Sequence, residues 1–155
     1  TGYWTKNTCS TRVPAEALVD APSAFVVGRG YMLAVALEAA LKLKESAAVF
    51  AEGISAADLM HGPIAAVQPH TRVVLLRARG PTDEELEEVR RRVEARAARI
   101  VQVGAGGDVP LPGDLPEPLA VFPATVRAQQ LALATARKRG LDPDQPPGLA
   151  KVTRF

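Results

Sequence analysis

Two hydrophobic rhythms alternate along the chain. "SAFVVGRG" (Ser23–Gly30) is a short, nearly continuous apolar run that ends in glycines, and it predicts a buried strand closed by a tight turn. From Met32 to about Phe50 the apolar positions recur at helical spacing. Ser55 in "SAADLMHG" (Ser55–Gly62) is placed to cap a short helix. "TRVVLLRA" (Thr71–Ala78) predicts a second strand, and "PTDEELEEVRRRVEARAA" (Pro81–Ala98) an amphipathic helix capped by Thr82. That helix carries its acids early and its arginines late, as the macrodipole favours. "RIVQVGAGG" (Arg99–Gly107) reads as a third strand and turn, "DVPLPGDLPEP" (Asp108–Pro118) as a proline-rich loop, and "LAVFP" (Leu119–Pro123) as a fourth strand. "ATVRAQQLALATARKRG" (Ala124–Gly140) predicts a helix with Gly140 at the C′ position.

Strands alternating with helices over short connections point to a three-layer α/β/α sandwich with a mainly parallel, doubly wound, flavodoxin-like sheet. Such sheets bind ligands at the carboxyl ends of their strands, where the Gly28-Arg29-Gly30 turn is expected. Residues 1–20 are polar and irregular, apart from a short helix at Pro14–Val19, and read as a linker or N-terminal arm. Residues 21–155 read as one domain with its irregular C-terminal tail.

The composition narrows the classes. With 155 residues, 47% of them hydrophobic and 23% charged, the chain suits one globular domain. Its 19 basic and 17 acidic residues leave a net charge of +2, too even to favour nucleic acid or an anionic membrane. Aromatics make up only 5%, which removes the stacking platforms a single-strand binder needs. The longest apolar runs fall well short of the ~20 residues of a membrane span. The polar start lacks the apolar core of a signal peptide, so a cytoplasmic location is expected. The single cysteine, Cys9, excludes an internal disulfide framework and reads as incidental. Two distant histidines cannot close a zinc site with it, so neither a metal nor a cofactor is expected.

"LEAALKLKESAAVF" (Leu37–Phe50) raises a chemical question, because a helix this apolar carries Glu38, Lys42, Lys44 and Glu45. At about 100° per residue, Glu38, Lys42 and Glu45 fall within roughly 60° of one another, while Lys44 points towards an edge. The stripe is either a solvated ion-pair ladder or a carboxylate held beside a lysine for proton transfer. Burial would raise the carboxylate's pKa and the lysine would lower it, a competition that can tune a base. His61 precedes Gly62-Pro63 and should end a helix at a sharp turn, whereas His70 lies in a loop and is given no role. Lys151 sits in the tail, either solvated or able to form a Schiff base if desolvated in a pocket.

These pieces together resemble one family. "GRGYMLAVALEAALKLKESAAVFAEGISAADLMHGPIAAV" (Gly28–Val67) and "LDPDQPPGLAKV" (Leu141–Val152) are similar to the sugar isomerase (SIS) domain family. Within it they resemble the second SIS domain of the glutamine–fructose-6-phosphate aminotransferases. The resemblance covers about Ser23 to Phe155. It implies that Glu45 moves a proton between C1 and C2 of a sugar phosphate, assisted by Lys42. It implies that His61 serves ring opening from a neighbouring subunit and that Lys151 forms a Schiff base with the ketone. Gly28, Arg29, Gly30 and Ala150 are the expected substrate-binding positions. In the tail, Pro147-Gly148 stands where the family's DQPRNLAK motif has Arg-Asn, and "RARGPTDEE" lacks the SxSGxT pattern of single-domain relatives.

The resemblance therefore implies the C-terminal half of a two-SIS module that isomerises a fructose 6-phosphate or glucosamine 6-phosphate class of sugar. It would work as a homodimer or by pairing with another SIS domain, and would be incomplete alone. A self-sufficient isomerase would need a phosphate anchor, for which Arg29 and Arg79 are the candidates. A non-catalytic sugar-phosphate-binding or assembly module is the remaining alternative.

Overall fold

A computed structural model describes residues 14–104, 106–111, 115–146 and 148. Four strands form one fully parallel sheet: β1 (Ser23–Gly28), β2 (Phe50–Ser55), β3 (Arg72–Arg77) and β4 (Arg99–Gly104). Their spatial order is β2-β1-β3-β4. The register runs from Ser23 opposite Phe50 to Gly28 opposite Ser55, and from Arg72 opposite Arg99 to Arg77 opposite Gly104. The helices are α1 (Glu16–Val19), α2 (Met32–Ala47), α3 (Ala56–Met60), α4 (Asp83–Glu94) and α5 (Glu117–Lys138), with a 3-10 turn at Pro63–Ala66.

Strand side chains alternate between two cores, as a sheet covered on both faces requires. Val26, Val74, Leu76, Val101 and Val103 pack against α1, α2 and α5. Val27, Val73 and Leu75 pack against α3, the 3-10 turn and α4. The α/β/α sandwich expected from the sequence is therefore present. Helix α2 lies tight on the sheet because β1 ends in glycine: a Cβ on Gly28 would collide with the Met32 carbonyl.

Two sequence-based expectations are corrected. Leu119–Pro123 is not a strand but the beginning of α5. Its four apolar residues between prolines imitate a strand, yet Ala120, Ala124, Ala128, Leu131 and Thr135 are buried at helical spacing. Pro123 costs a helical hydrogen bond there, and the rest of the buried stripe keeps the helix intact. The fourth strand is Phe50–Ser55, which the sequence reading had merged with the end of α2 and a loop. Ala48 adopts a left-handed conformation, φ 51°, stops α2 at Ala47 and turns the chain into this edge strand.

Several end signals are as expected. Ser55 Oγ accepts the Asp58 backbone N–H at 3.0 Å, the N-cap of α3. After α5, Gly140 at φ 72° donates to the Arg137 carbonyl and Leu141 donates to the Ala136 carbonyl, the paired bonds of a Schellman motif. Thr82 stands at the N-cap of α4 but makes no side-chain capping bond. Below the sheet, the Arg139 guanidinium donates to the carbonyls of Val19, Ala21, Ala47 and Ala48 at 2.7–2.9 Å, tying α1, the chain entering β1 and the end of α2 to the end of α5.

Candidate active site

Helix α2 turns the charged stripe to its solvent border. Lys42 Nζ donates to Glu45 Oε2 at 2.6 Å, and the two side chains are 35% and 37% exposed. Glu38, one turn earlier, accepts from Gln129 Nε2 of α5 at 3.3 Å. Lys44 is exposed. The Glu45 hydrogen bond raises the Lys42 pKa, opposed by partial burial and supported by the charges of Glu45 and Glu38. Lys42 therefore stays a cation at neutral pH.

The remaining predicted residues lie elsewhere. The Gly28-Arg29-Gly30 turn is at the carboxyl end of β1, where α2 begins, while Lys42 and Glu45 are near its end. At about 1.5 Å per residue this separates Tyr31 from Glu45 by roughly 20 Å along the helix axis. Arg29 Nε pairs with Glu85 Oε2 of α4 at 2.8 Å. His61 is the exposed residue that ends α3, on the opposite face of the sheet from α2. It borders an open cleft of about 530 Å³ with Met60, Glu84, Glu85, Glu88 and Arg91. One chain thus joins Glu45 to Lys42 but sets both apart from His61. Lys151 and Ala150 lie outside the described residues.

The sequence reading missed Glu117. Its carboxylate is buried, 5% exposed, and its Oε1 accepts the Tyr31 backbone N–H at 2.9 Å. Pro-Glu-Pro at 116–118 is a helix-start signal, with proline and an acid where a first turn tolerates both. Read as the end of a loop, it concealed the only buried carboxylate among the described residues.

Helices α2 and α5 also expose large apolar side chains. Leu37 and Leu41 of α2 are 54% and 42% exposed; Leu119, Phe122 and Val126 of α5 are 53%, 71% and 52% exposed. Among the described residues no group of histidine, cysteine or carboxylates could hold a metal ion, and no helix is long and apolar enough to cross a membrane.

Comparison with known proteins agrees with this architecture. The chain is 38% identical over 149 residues to the glutamine–fructose-6-phosphate aminotransferase (isomerizing) of Lactiplantibacillus plantarum, and 36% identical over 150 residues to that of Aquifex aeolicus. These matches take in 90% and 89% of the chain but only 24% and 25% of the relatives, so the chain spans about a quarter of their length. A glucosamine-6-phosphate deaminase structure from Thermotoga maritima superposes with a TM-score of 0.74 at 32% identity, covering 90% of this chain and 42% of that one. The C-terminal domain of the glucosamine–fructose-6-phosphate aminotransferase from Francisella tularensis superposes at 0.71 and 27% identity, covering 84% and 40%. With the SIS domain model matching residues 17–113 and the fold shared across these relatives, the chain belongs to the SIS domain family.

Proposed function

We propose that this chain is the C-terminal half of a two-SIS sugar-phosphate isomerase module that acts on a fructose 6-phosphate or glucosamine 6-phosphate class of substrate. The observation that carries the reading is the Lys42–Glu45 pair. A carboxylate sits 2.6 Å from a lysine whose pKa is raised, both about one-third exposed on α2, a helix that also shows Leu37 and Leu41 to solvent. A second SIS domain docked on that surface would turn the pair into the wall of a closed site. The chain's coverage of 40% and 42% of its solved relatives supports such a missing half.

The chemistry fits the residue types. The Lys151 amine adds to C2 of the open-chain ketose, water leaves, and the resulting iminium makes the C1 protons more acidic. Ammonia displaces the lysine at C2, which frees the sugar from the protein and leaves an imine at C2. Glu45 then takes a proton from C1 and returns it to C2, while the O1 hydroxyl proton passes to the C2 nitrogen and the carbonyl is left at C1. Lys42, kept cationic, offsets the negative charge that develops on the sugar oxygens. His61 would serve ring opening in a neighbouring copy, since within one chain it lies across the sheet from Glu45.

Borohydride trapping with fructose 6-phosphate, read by peptide mass spectrometry, tests this reading. A sugar adduct confined to Lys151 and lost in Lys151→Ala is the expected result, in the chain alone or after a first SIS domain is added. A folded sample without adduct in both settings would favour the non-catalytic assembly role, to which the separation of His61 from Glu45 lends its weight.

A further inference from the structure

The sheet order β2-β1-β3-β4 places the topological switch point between β1 and β3, whose chains leave in opposite directions. In open α/β sheets the crevice outside these strand ends receives the ligand. Here the chain fills it from within. The Glu117 carboxylate reaches between the two loops and accepts the Tyr31 N–H at 2.9 Å. A Cβ on Gly30, at φ 56°, would collide with its Oε1, and one on Gly80 would come within 3.2 Å of its Oε2. A parallel bridge between Arg79 and Pro116 delivers Glu117 to this position. The charge is well placed, since it faces the start of α2 and lies in the first turn of α5, both positive helix ends. A buried carboxylate is costly to desolvate, so an ordinary filler of this space would be apolar.

We infer that Glu117 is a positioning residue that occupies the switch point in place of a ligand's anionic group. It holds the Gly28-Arg29-Gly30 turn through the Tyr31 amide, and it excludes an external phosphate from the crevice. The inference deepens the isomerase-half reading and rests on it in one respect: the substrate's phosphate must be held by the other SIS domain.

The test is titration of the full, isotopically labelled chain with inorganic phosphate at constant ionic strength, following the backbone amides of Gly30, Tyr31 and Gly80. The wild type should show no saturable shift at these amides. Glu117→Ala should show one, with phosphate bound at least about tenfold more tightly. Glu117→Gln keeps the shape and the acceptor, so it should resemble the wild type in excluding phosphate. Its Tyr31 amide proton should nevertheless move upfield as the charged acceptor is lost. Wild-type amides that titrate as tightly as those of Glu117→Ala would overturn the inference, as would a folded Glu117→Ala with no gain. If Glu117→Ala fails to fold, Glu117→Gln decides: phosphate shifts at these amides, or an unmoved Tyr31 amide, would sink it. Trapping of a sugar at Lys151 is a separate readout, so failure of the isomerase reading and failure of this one are distinguishable.

Discussion

Lys42 and Glu45 share one turn of α2, with Nζ 2.6 Å from Oε2, and both remain about one-third exposed. Such a pair contributes only a few tenths of a kcal/mol to stability. A role in chemistry therefore separates cleanly from a role in folding. In the assembled two-SIS module, Glu45→Gln should lower the isomerisation rate by about 10²–10⁴-fold. Its thermal midpoint should stay within about a degree or two of the wild type. A sugar-phosphate turnover assay beside a melt measures both, and equal loss of activity and stability would count against a proton-transfer role.

The Arg77–Asp83 pair sets an acid limit on the fold. Arg77 Nε lies 2.5 Å from Asp83 Oδ1, and Arg77 also reaches Glu87 at 2.5 Å. The Arg77 hydrogen bond holds the Asp83 carboxyl below the usual aspartate range, against the opposing effect of partial burial. Because the folded pKa is depressed, the stabilisation is fully present above the unfolded value of about 3.9 and is lost as pH falls through the lower folded value. Asp83→Asn should remove that part of the acid sensitivity. Denaturant midpoints near pH 7 and near pH 3 should differ less in the variant than in the wild type. Asp83 is 42% exposed, so the effect should be modest.

Arg139 is a stronger structural test. Its guanidinium joins four carbonyls, of Val19, Ala21, Ala47 and Ala48, from three parts of the chain. A hydrogen bond from a charged donor contributes about 1.5–3 kcal/mol, but carbonyls near the surface regain water when it is removed. Arg139→Ala should therefore cost about 2–3 kcal/mol in urea unfolding, with Arg139→Lys recovering only part of it. A loss under about 0.5 kcal/mol would mean that the clamp is incidental.

The parts of the fold that could be read from the sequence are those where one local signal dominates. The glycines after Val27, the acid-to-base gradient of α4 and Gly140 after α5 each fix an element by a local mechanism. Phe50–Ser55 escaped because it is an edge strand: only β1 pairs with it, Phe50 and Glu52 face solvent, and the apolar alternation is weak. Leu119–Pro123 misled because composition imitated a strand while the deciding contacts, Ala120 and Ala124 against the core, are tertiary. In the site, the Lys42–Glu45 pairing follows from helical spacing alone. The distance from the Gly28-Arg29-Gly30 turn and the burial of Glu117 depend on topology, which local pattern does not encode.

The exposed apolar face supplies the last prediction. Leu119, Phe122 and Val126 are exposed on α5, the helix that Glu38–Gln129 links to α2. Phe122 is 71% exposed, so Phe122→Asp removes no core contact and should leave the chain's own stability within about 0.5 kcal/mol. If a second SIS domain docks here, the same change buries a carboxylate in an apolar contact with no partner, a cost of several kcal/mol. Self-association, or capture of an added first SIS domain, should then weaken by at least about 100-fold. Analytical ultracentrifugation of wild type and Phe122→Asp, with and without that domain, reads the effect directly. Exposed changes away from this face, such as Glu94→Ala on α4, should leave it unchanged. Equal weakening by both variants, or unchanged assembly in Phe122→Asp, would place the docking surface elsewhere.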